Sequence, residues 1–97
     1  MEVKYDIRYS EDALKDIAFF KKLGDKAIIN KIDKILDELE AHPKTGSGQV
    51  EQLKFDLTGF WSRRINREHR IVYKIDEEEN IVYIYKMSGH YEKNKKH

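Results

Sequence analysis

Phe60-Trp61-Ser62-Arg63-Arg64-Ile65 and Arg70-Ile71-Val72-Tyr73-Lys74-Ile75, parted by the polar break Arg67–His69, decide the fold of this chain. Both runs are rich in β-branched and aromatic residues, and the short break predicts an antiparallel hairpin. Ile71, Tyr73 and Ile75 share one face by period-2 alternation, with Arg70, Val72 and Lys74 on the other. In the preceding run Trp61 and Ile65 belong to the core, which sets Phe60, Ser62 and Arg64 opposite. Matching core face to core face calls for same-face pairings such as Ile65 with Ile71. Arg64 and Arg70 then lie together on the non-core face, beside Ser62, Val72 and Lys74. A slip of one residue would separate the arginines and expose the isoleucines. Arg63 has core-side parity and is expected at the rim. Arg67, in the turn, reads as plain surface.

Outward from the hairpin, Ile81 to Met87 forms a further strand after the break Asp76–Asn80, and Val50 to Lys54 a short one before it. Leu57-Thr58-Gly59 makes a turn between Lys54 and the hairpin. Near the start, Val3, Tyr5, Ile7 and Tyr9 alternate with polar residues, as in a half-buried strand. Ser10 is a helix N-cap followed by Glu11 and Asp12, and Leu14, Ile17, Ala18 and Lys21 repeat at helical spacing up to a stop at Gly24. Asp25 caps a second helix with Ile28, Ile32, Ile35, Leu36 and Leu39 on one face. Its other face, Lys31, Asp33, Lys34, Asp37, Glu38 and Glu40, reads as solvated. Pro43, Gly46 and Gly48 break the chain into a loop. The predicted class is α+β: strand, helix, helix, then three or four strands in a mostly antiparallel sheet, with both helices on one face.

The chain has 97 residues, enough for one modest core, and residues 1–97 read as a single domain whose basic end, 92–97, is a flexible tail. Hydrophobic residues make up 39% and charged residues 38%, a heavily charged globular composition. No run reaches the ~20 apolar residues of a membrane span and no signal-peptide core is present, so a cytoplasmic protein is expected. The absence of cysteine excludes disulfides and thiolate metal sites. A net charge of +1 argues against nonspecific coating of nucleic acid. The positive charge is local. Lys54, Arg63, Arg64, Arg67, Arg70 and Lys74 face only Asp56 and Glu68 between positions 54 and 74, whereas residues 1–50 carry nine basic and ten acidic side chains.

Arginines on a wet strand face suit bidentate contact with phosphate oxygens. Glu51 opens the strand after the glycine loop, next to this cluster in sequence. Among the histidines, His42 beside Pro43 reads as surface. His69 reads as a turn-tip residue, with RNA contact as its functional alternative. His90 follows Ser88-Gly89 and precedes Tyr91, where glycine lets the chain turn and present both rings. A carboxylate, a histidine and arginines suffice to cleave RNA without a metal or cofactor, because RNA supplies its own 2′-hydroxyl nucleophile. No HExxH, DxD, Walker loop or GxGxxG is present, and no serine lies in a nucleophile elbow.

Glu51-x-Leu53-Lys54, Leu57-Thr58-Gly59-Phe60-Trp61-Ser62-Arg63-Arg64-Ile65, Glu68-His69-Arg70-Ile71-Val72-Tyr73 and His90-Tyr91 closely resemble the YoeB/Txe family of bacterial toxins, within the RelE-like superfamily. The resemblance runs from about Tyr9 to Tyr91. It implies the toxin of a type II toxin–antitoxin pair, a ribosome-dependent endoribonuclease that cuts messenger RNA in the A site and halts translation. It implies a YefM/Axe-like antitoxin partner, with operator DNA reached only through that antitoxin. By resemblance Glu51 is the general base, His90 the general acid and Arg70 the residue that stabilises the scissile phosphate. Lys54 and Arg64 are supporting cations, and Tyr91 positions the nucleotide. Two alternatives stand beside this reading: a non-catalytic protein-binding toxin of the gyrase-poison type, and a plain RNA-binding domain.

Overall fold

The computed structural model describes residues 4–46 and 48–89. His90 and Tyr91 lie outside the described residues. Strand β1 (Asp6–Tyr9) leads into helix α1 (Glu11–Leu23) and helix α2 (Lys26–Ala41). After a loop come β2 (Glu51–Gln52), a 3-10 turn at Phe55–Leu57, β3 (Phe60–Arg64), β4 (Arg70–Asp76) and β5 (Ile81–Lys86). The five strands form one sheet in the order β1-β5-β4-β3-β2. All pairings are antiparallel except β1 with β5, which run parallel. Helices α1 and α2 carry the chain from β1 at one edge of the sheet to β2 at the other, and the antiparallel strands step back until β5 lies beside β1. No helix among the described residues is long and apolar enough to cross a membrane.

The helix signals act as the sequence predicts. The Ser10 hydroxyl accepts from Ala13 N at 3.0 Å, and the Asp25 carboxylate accepts from Ile28 N at 3.2 Å. Gly24 closes α1 by donating to the Phe20 and Lys21 carbonyls. Along α2, Ile28, Ile32, Ile35 and Leu39 are buried and Leu36 packs partly against the same core. Helix α1 is rotated from its predicted phase. Its buried residues are Ala13 and Phe20, with Ile17 half-buried, while Leu14 is 54% exposed and Ala18 is exposed. A phenylalanine three residues beyond Ile17 offers more apolar area than Leu14, and burying it sets the helix's rotation.

These helix faces meet Ile71 and Tyr73 of β4, Val82 and Ile84 of β5, and Ile65 and Met87 just beyond strand ends. The helices leave the sheet's other face open. Arg64 and Arg70 are directly opposed across β3 and β4, on that open face, as the pattern requires. The ladder differs from the illustrative pairing by two residues: Ile71 partners Arg63, and Ile65 donates its N–H to the carbonyl of His69. A two-residue shift keeps every side chain on its face, so the face assignment survives it.

Candidate active site

Three strands deliver the candidate groups to the open face. Glu51 of β2 partners Ser62 of β3, which partners Val72 of β4. One step along the same face lies the Arg64–Arg70 pair. Ser62 and Val72 are 1% and 2% exposed, so these small residues make a floor from which the larger groups rise. Across this floor an Arg70 terminal nitrogen reaches Glu51 Oε1 at 3.3 Å, and both side chains stay accessible. Arg64 Nε is buried and has no hydrogen-bond partner among the described residues. Two guanidinium groups and one carboxylate thus share a small patch.

The loop after α2 positions Arg64 through its backbone. Arg64 N donates to the Gly48 carbonyl at 2.5 Å. Gly48 has φ +87°, and a Cβ there would lie 2.8 Å from the Arg64 carbonyl oxygen. Glycine is required at that point by both conformation and contact. Lys54 is exposed at the entry to the 3-10 turn, past the end of β2. It lies on the chain that carries Glu51 but outside the strand. Beyond the arginines the open face continues into Phe60, Lys74, Tyr83 and Tyr85, with the Phe60 and Tyr85 rings 5.3 Å apart.

Arg63 is not at the rim; it is fully buried. Its Nε donates to the Tyr73 hydroxyl at 3.1 Å, and one terminal nitrogen to Glu38 Oε1 at 3.0 Å. The other terminal nitrogen donates to the carbonyls of His42 and Thr45 at 2.5 and 2.6 Å. The Tyr73 hydroxyl in turn donates to the Pro43 carbonyl at 2.7 Å. A charge of core parity is thereby neutralised and bonded at each nitrogen, the condition for burying it. Glu38 consequently is no mere member of a solvated face. Burial pushes the Tyr73 pKa up, against the lowering effect of the Arg63 hydrogen bond and charge. His42 keeps its side chain exposed while its carbonyl serves Arg63.

His69 also departs from expectation. It is 5% exposed, with its ring edge on Phe20 at 5.0 Å between centroids. The Asn66 side chain accepts from the Glu68 and His69 N–H groups at 2.9 and 2.8 Å, closing the turn. His69 Nδ1 accepts from Gly89 N at 3.1 Å. The sequence did hold a signal: extending the alternation of Ile71 and Tyr73 back by one step puts position 69 on the core face.

The chain matches the family of YoeB-like toxins of bacterial type II toxin-antitoxin systems over residues 9–91. It is 38% identical to a toxin YoeB of Escherichia coli over 74 residues, covering 76% of this chain and 87% of that protein. Its fold is similar to that of a YoeB/ParE toxin from Agrobacterium tumefaciens, with TM-score 0.80 and 28% identity over 86% of this chain and 95% of that one. It is similar too to a chain of the heterotetrameric YoeB-YefM toxin-antitoxin complex from Staphylococcus aureus, with TM-score 0.76 and 36% identity over 88% and 95% of the two chains. An arginine-paired carboxylate on an open sheet face, on this fold and with these relatives, places the chain in one family: it belongs to the YoeB-like toxins of bacterial type II toxin–antitoxin systems.

Proposed function

We propose that this toxin is a ribosome-dependent endoribonuclease that cleaves messenger RNA in the A site, and that it is held inactive by a YefM-like antitoxin. The observation that carries the reading is the Glu51–Arg70 pair set beside Arg64, whose Nε is an unused donor among the described residues. In the proposed step Glu51 takes the proton of the RNA 2′-hydroxyl, and the 2′-oxygen attacks the adjacent phosphorus. The bond from phosphorus to the 5′-oxygen breaks, and His90 gives that oxygen its proton. The products are a 2′,3′-cyclic phosphate and a 5′-hydroxyl end, and the proton that Glu51 takes is matched by the one that His90 gives.

Arg70 and Arg64 bear on the phosphate oxygens, where negative charge grows as the fifth bond forms. Arg70 must exchange part of its contact with Glu51 for the phosphate, and that exchange also frees the carboxylate to act as base. Lys54 adds a cation at the substrate's edge, and Tyr91 positions a nucleotide. The Arg70 and Glu51 side chains are both accessible, which leaves orientation of the RNA to an external body. The ribosome fills that role by holding the strand in line, so cleavage of naked RNA is expected to be weak. The partner assignment draws support from the YoeB-YefM complex of the Staphylococcus aureus relative. A reaction on translating ribosomes calls for a cytoplasmic protein.

Mapping transcript 5′ ends after brief induction tests the reading. Cuts within translated codons, lost in Glu51→Ala, Arg70→Ala and His90→Ala, are the expected result. DNA damage with intact transcripts would indicate a gyrase poison instead, and salt-sensitive binding to uncut RNA a plain binding domain.

A further inference from the structure

The turn Asn66–His69 stands next to two groups of the proposed reaction. Arg70 follows His69 directly in the chain. His90 follows Gly89, and the Gly89 N–H donates to His69 Nδ1 at 3.1 Å. One buried imidazole therefore lies one peptide bond from the phosphate-binding arginine and one hydrogen bond from the residue that precedes the acid.

The surroundings show that this contact is built. His69 Nδ1 is an acceptor, which assigns the ring proton to Nε2, the nitrogen 3.6 Å from Glu68 Oε1. The ring is fixed by its edge contact with Phe20 and by near-complete burial. From the other side, Gly89 packs so closely on the Glu68 carbonyl oxygen that a Cβ would collide with it. Two residues earlier, Met87 N donates to Asp16 Oδ2 at 2.8 Å while the Met87 side chain sits fully in the core. The segment Met87–Gly89 is thus pinned to α1 by one backbone bond and to the 66–69 turn by another, past the end of strand β5.

We infer that His69 is a positioning residue: by fixing the Gly89 peptide it sets the point from which the chain runs on to His90. The inference deepens the proposed endonuclease and rests on it. Acid–base transfer needs the proton donor within hydrogen-bonding reach of the leaving oxygen, and displacement by about 1 Å costs ~100-fold in rate. The Gly89 peptide, held at its N–H, is the last described point of the chain before His90.

The test uses the full chain, assayed in single turnover on ribosomes programmed with a defined messenger. His69→Phe keeps an aromatic ring on Phe20 and removes the acceptor. His69→Asn keeps an acceptor near the Nδ1 position. The expected result is a ~100-fold fall in the maximal rate for His69→Phe, with half-saturation by ribosomes unchanged. His69→Asn is expected to recover most of that loss. In a His90→Ala background His69→Phe should cost nothing further, because a residue acting through His90 has nothing left to position.

A wild-type rate in His69→Phe, equal losses in the two variants, or a loss that multiplies with that of His90→Ala would each overturn the inference. Should His69→Phe fail to fold, His69→Asn decides alone: a folded variant near the wild-type rate supports the role, and a folded variant without cleavage overturns it. Exchange of the Gly89 amide separates this inference from the function on which it rests. If the wild-type chain cuts no ribosome-bound messenger, the proposed function fails. The anchor still stands if the Gly89 amide is protected in wild type and released in His69→Phe, and falls if protection is the same in both.

Discussion

Arg64 and Arg70 are Cα partners directly across the β3–β4 ladder, both on the face that the helices leave open. Like charges in cross-strand register repel, and a sheet selected for stability alone would alternate their signs. Glu51 compensates one of the two at 3.3 Å. The uncompensated part is a standing demand for an anion, which a phosphodiester meets. Arg70→Ala and Arg64→Ala are each expected to slow cleavage by ~100- to 1,000-fold. Thermal stability should hold or rise slightly. Single-turnover assays on programmed ribosomes, beside melting curves, check both halves of that expectation.

Glu51→Gln retains size and removes the proton acceptor. Cleavage should fall by ~100- to 10,000-fold, the usual worth of a positioned base. Binding to ribosomes should tighten or stay level, since Arg70 then faces the phosphate without a competing carboxylate. Sedimentation with programmed ribosomes measures the binding, and product gels the rate. Weaker binding together with an unchanged rate would remove Glu51 from the mechanism.

Arg63 leads to the opposite expectation from its neighbour in sequence. Arg63→Met removes the hydrogen bonds to Glu38, to the Tyr73 hydroxyl and to the carbonyls of His42 and Thr45, so it should destabilise the fold by ~3–5 kcal/mol. Urea titration reads this directly. Arg64→Met, one position on, should move the midpoint little, because its side chain closes no such network among the described residues.

Tyr73 confers a dependence on alkaline pH. Its folded pKa is raised, so the unfolded chain gives up the phenol proton first as pH climbs past about 10. The contribution of the neutral hydroxyl is complete below that value and is lost as pH rises through the higher folded pKa. Tyr73→Phe should cost ~1–3 kcal/mol at neutral pH by leaving Arg63 Nε and the Pro43 carbonyl without a partner. It should also flatten the alkaline loss of stability, as denaturation midpoints across pH will show.

Gly48→Ala should weaken cleavage more than a surface loop change would. The added Cβ at φ +87° presses on the Arg64 backbone, at a cost of ~1–3 kcal/mol for a strained residue. The expected signature is a lowered rate together with a modest loss of stability. Gly24→Ala offers the contrast: it has a positive φ, no atom lies within 4 Å of its Cβ, and it sits far along the chain from the site. It should cost stability alone.

The hairpin and α2 were legible because each has one apolar face and an unbroken period. Register follows from faces, so the pattern alone puts Arg64 and Arg70 together. Arg63 was not legible as an interior residue, since its partners come from Glu38, His42 and Thr45, positions that periodicity does not connect to β3. The phase of α1 turned on Phe20 outweighing Leu14, a matter of which side chain the sheet has room for. The parallel β1–β5 pair was hidden for a like reason, because alternation reports a strand's faces and not its neighbours. Glu51 meeting Arg70 emerged from the same hairpin, once β2 was paired to β3.

The strand order has a consequence for how the molecule comes into being. β5 lies between β1 and β4, so the earliest described strand has no neighbour until the latest one arrives. The Ser10 hydroxyl bonds the Tyr85 carbonyl from 75 positions away in the chain. Such a sheet has high contact order and cannot close piecewise during synthesis. Helices and hairpin can form as they emerge, but β1 waits for β5. Residues 81–89 must clear the ribosome before the sheet is whole and the 66–69 turn receives Gly89. A nascent chain of this protein is therefore unfinished as a toxin while its closing strand is still being made, and its maturation is timed by its own topology.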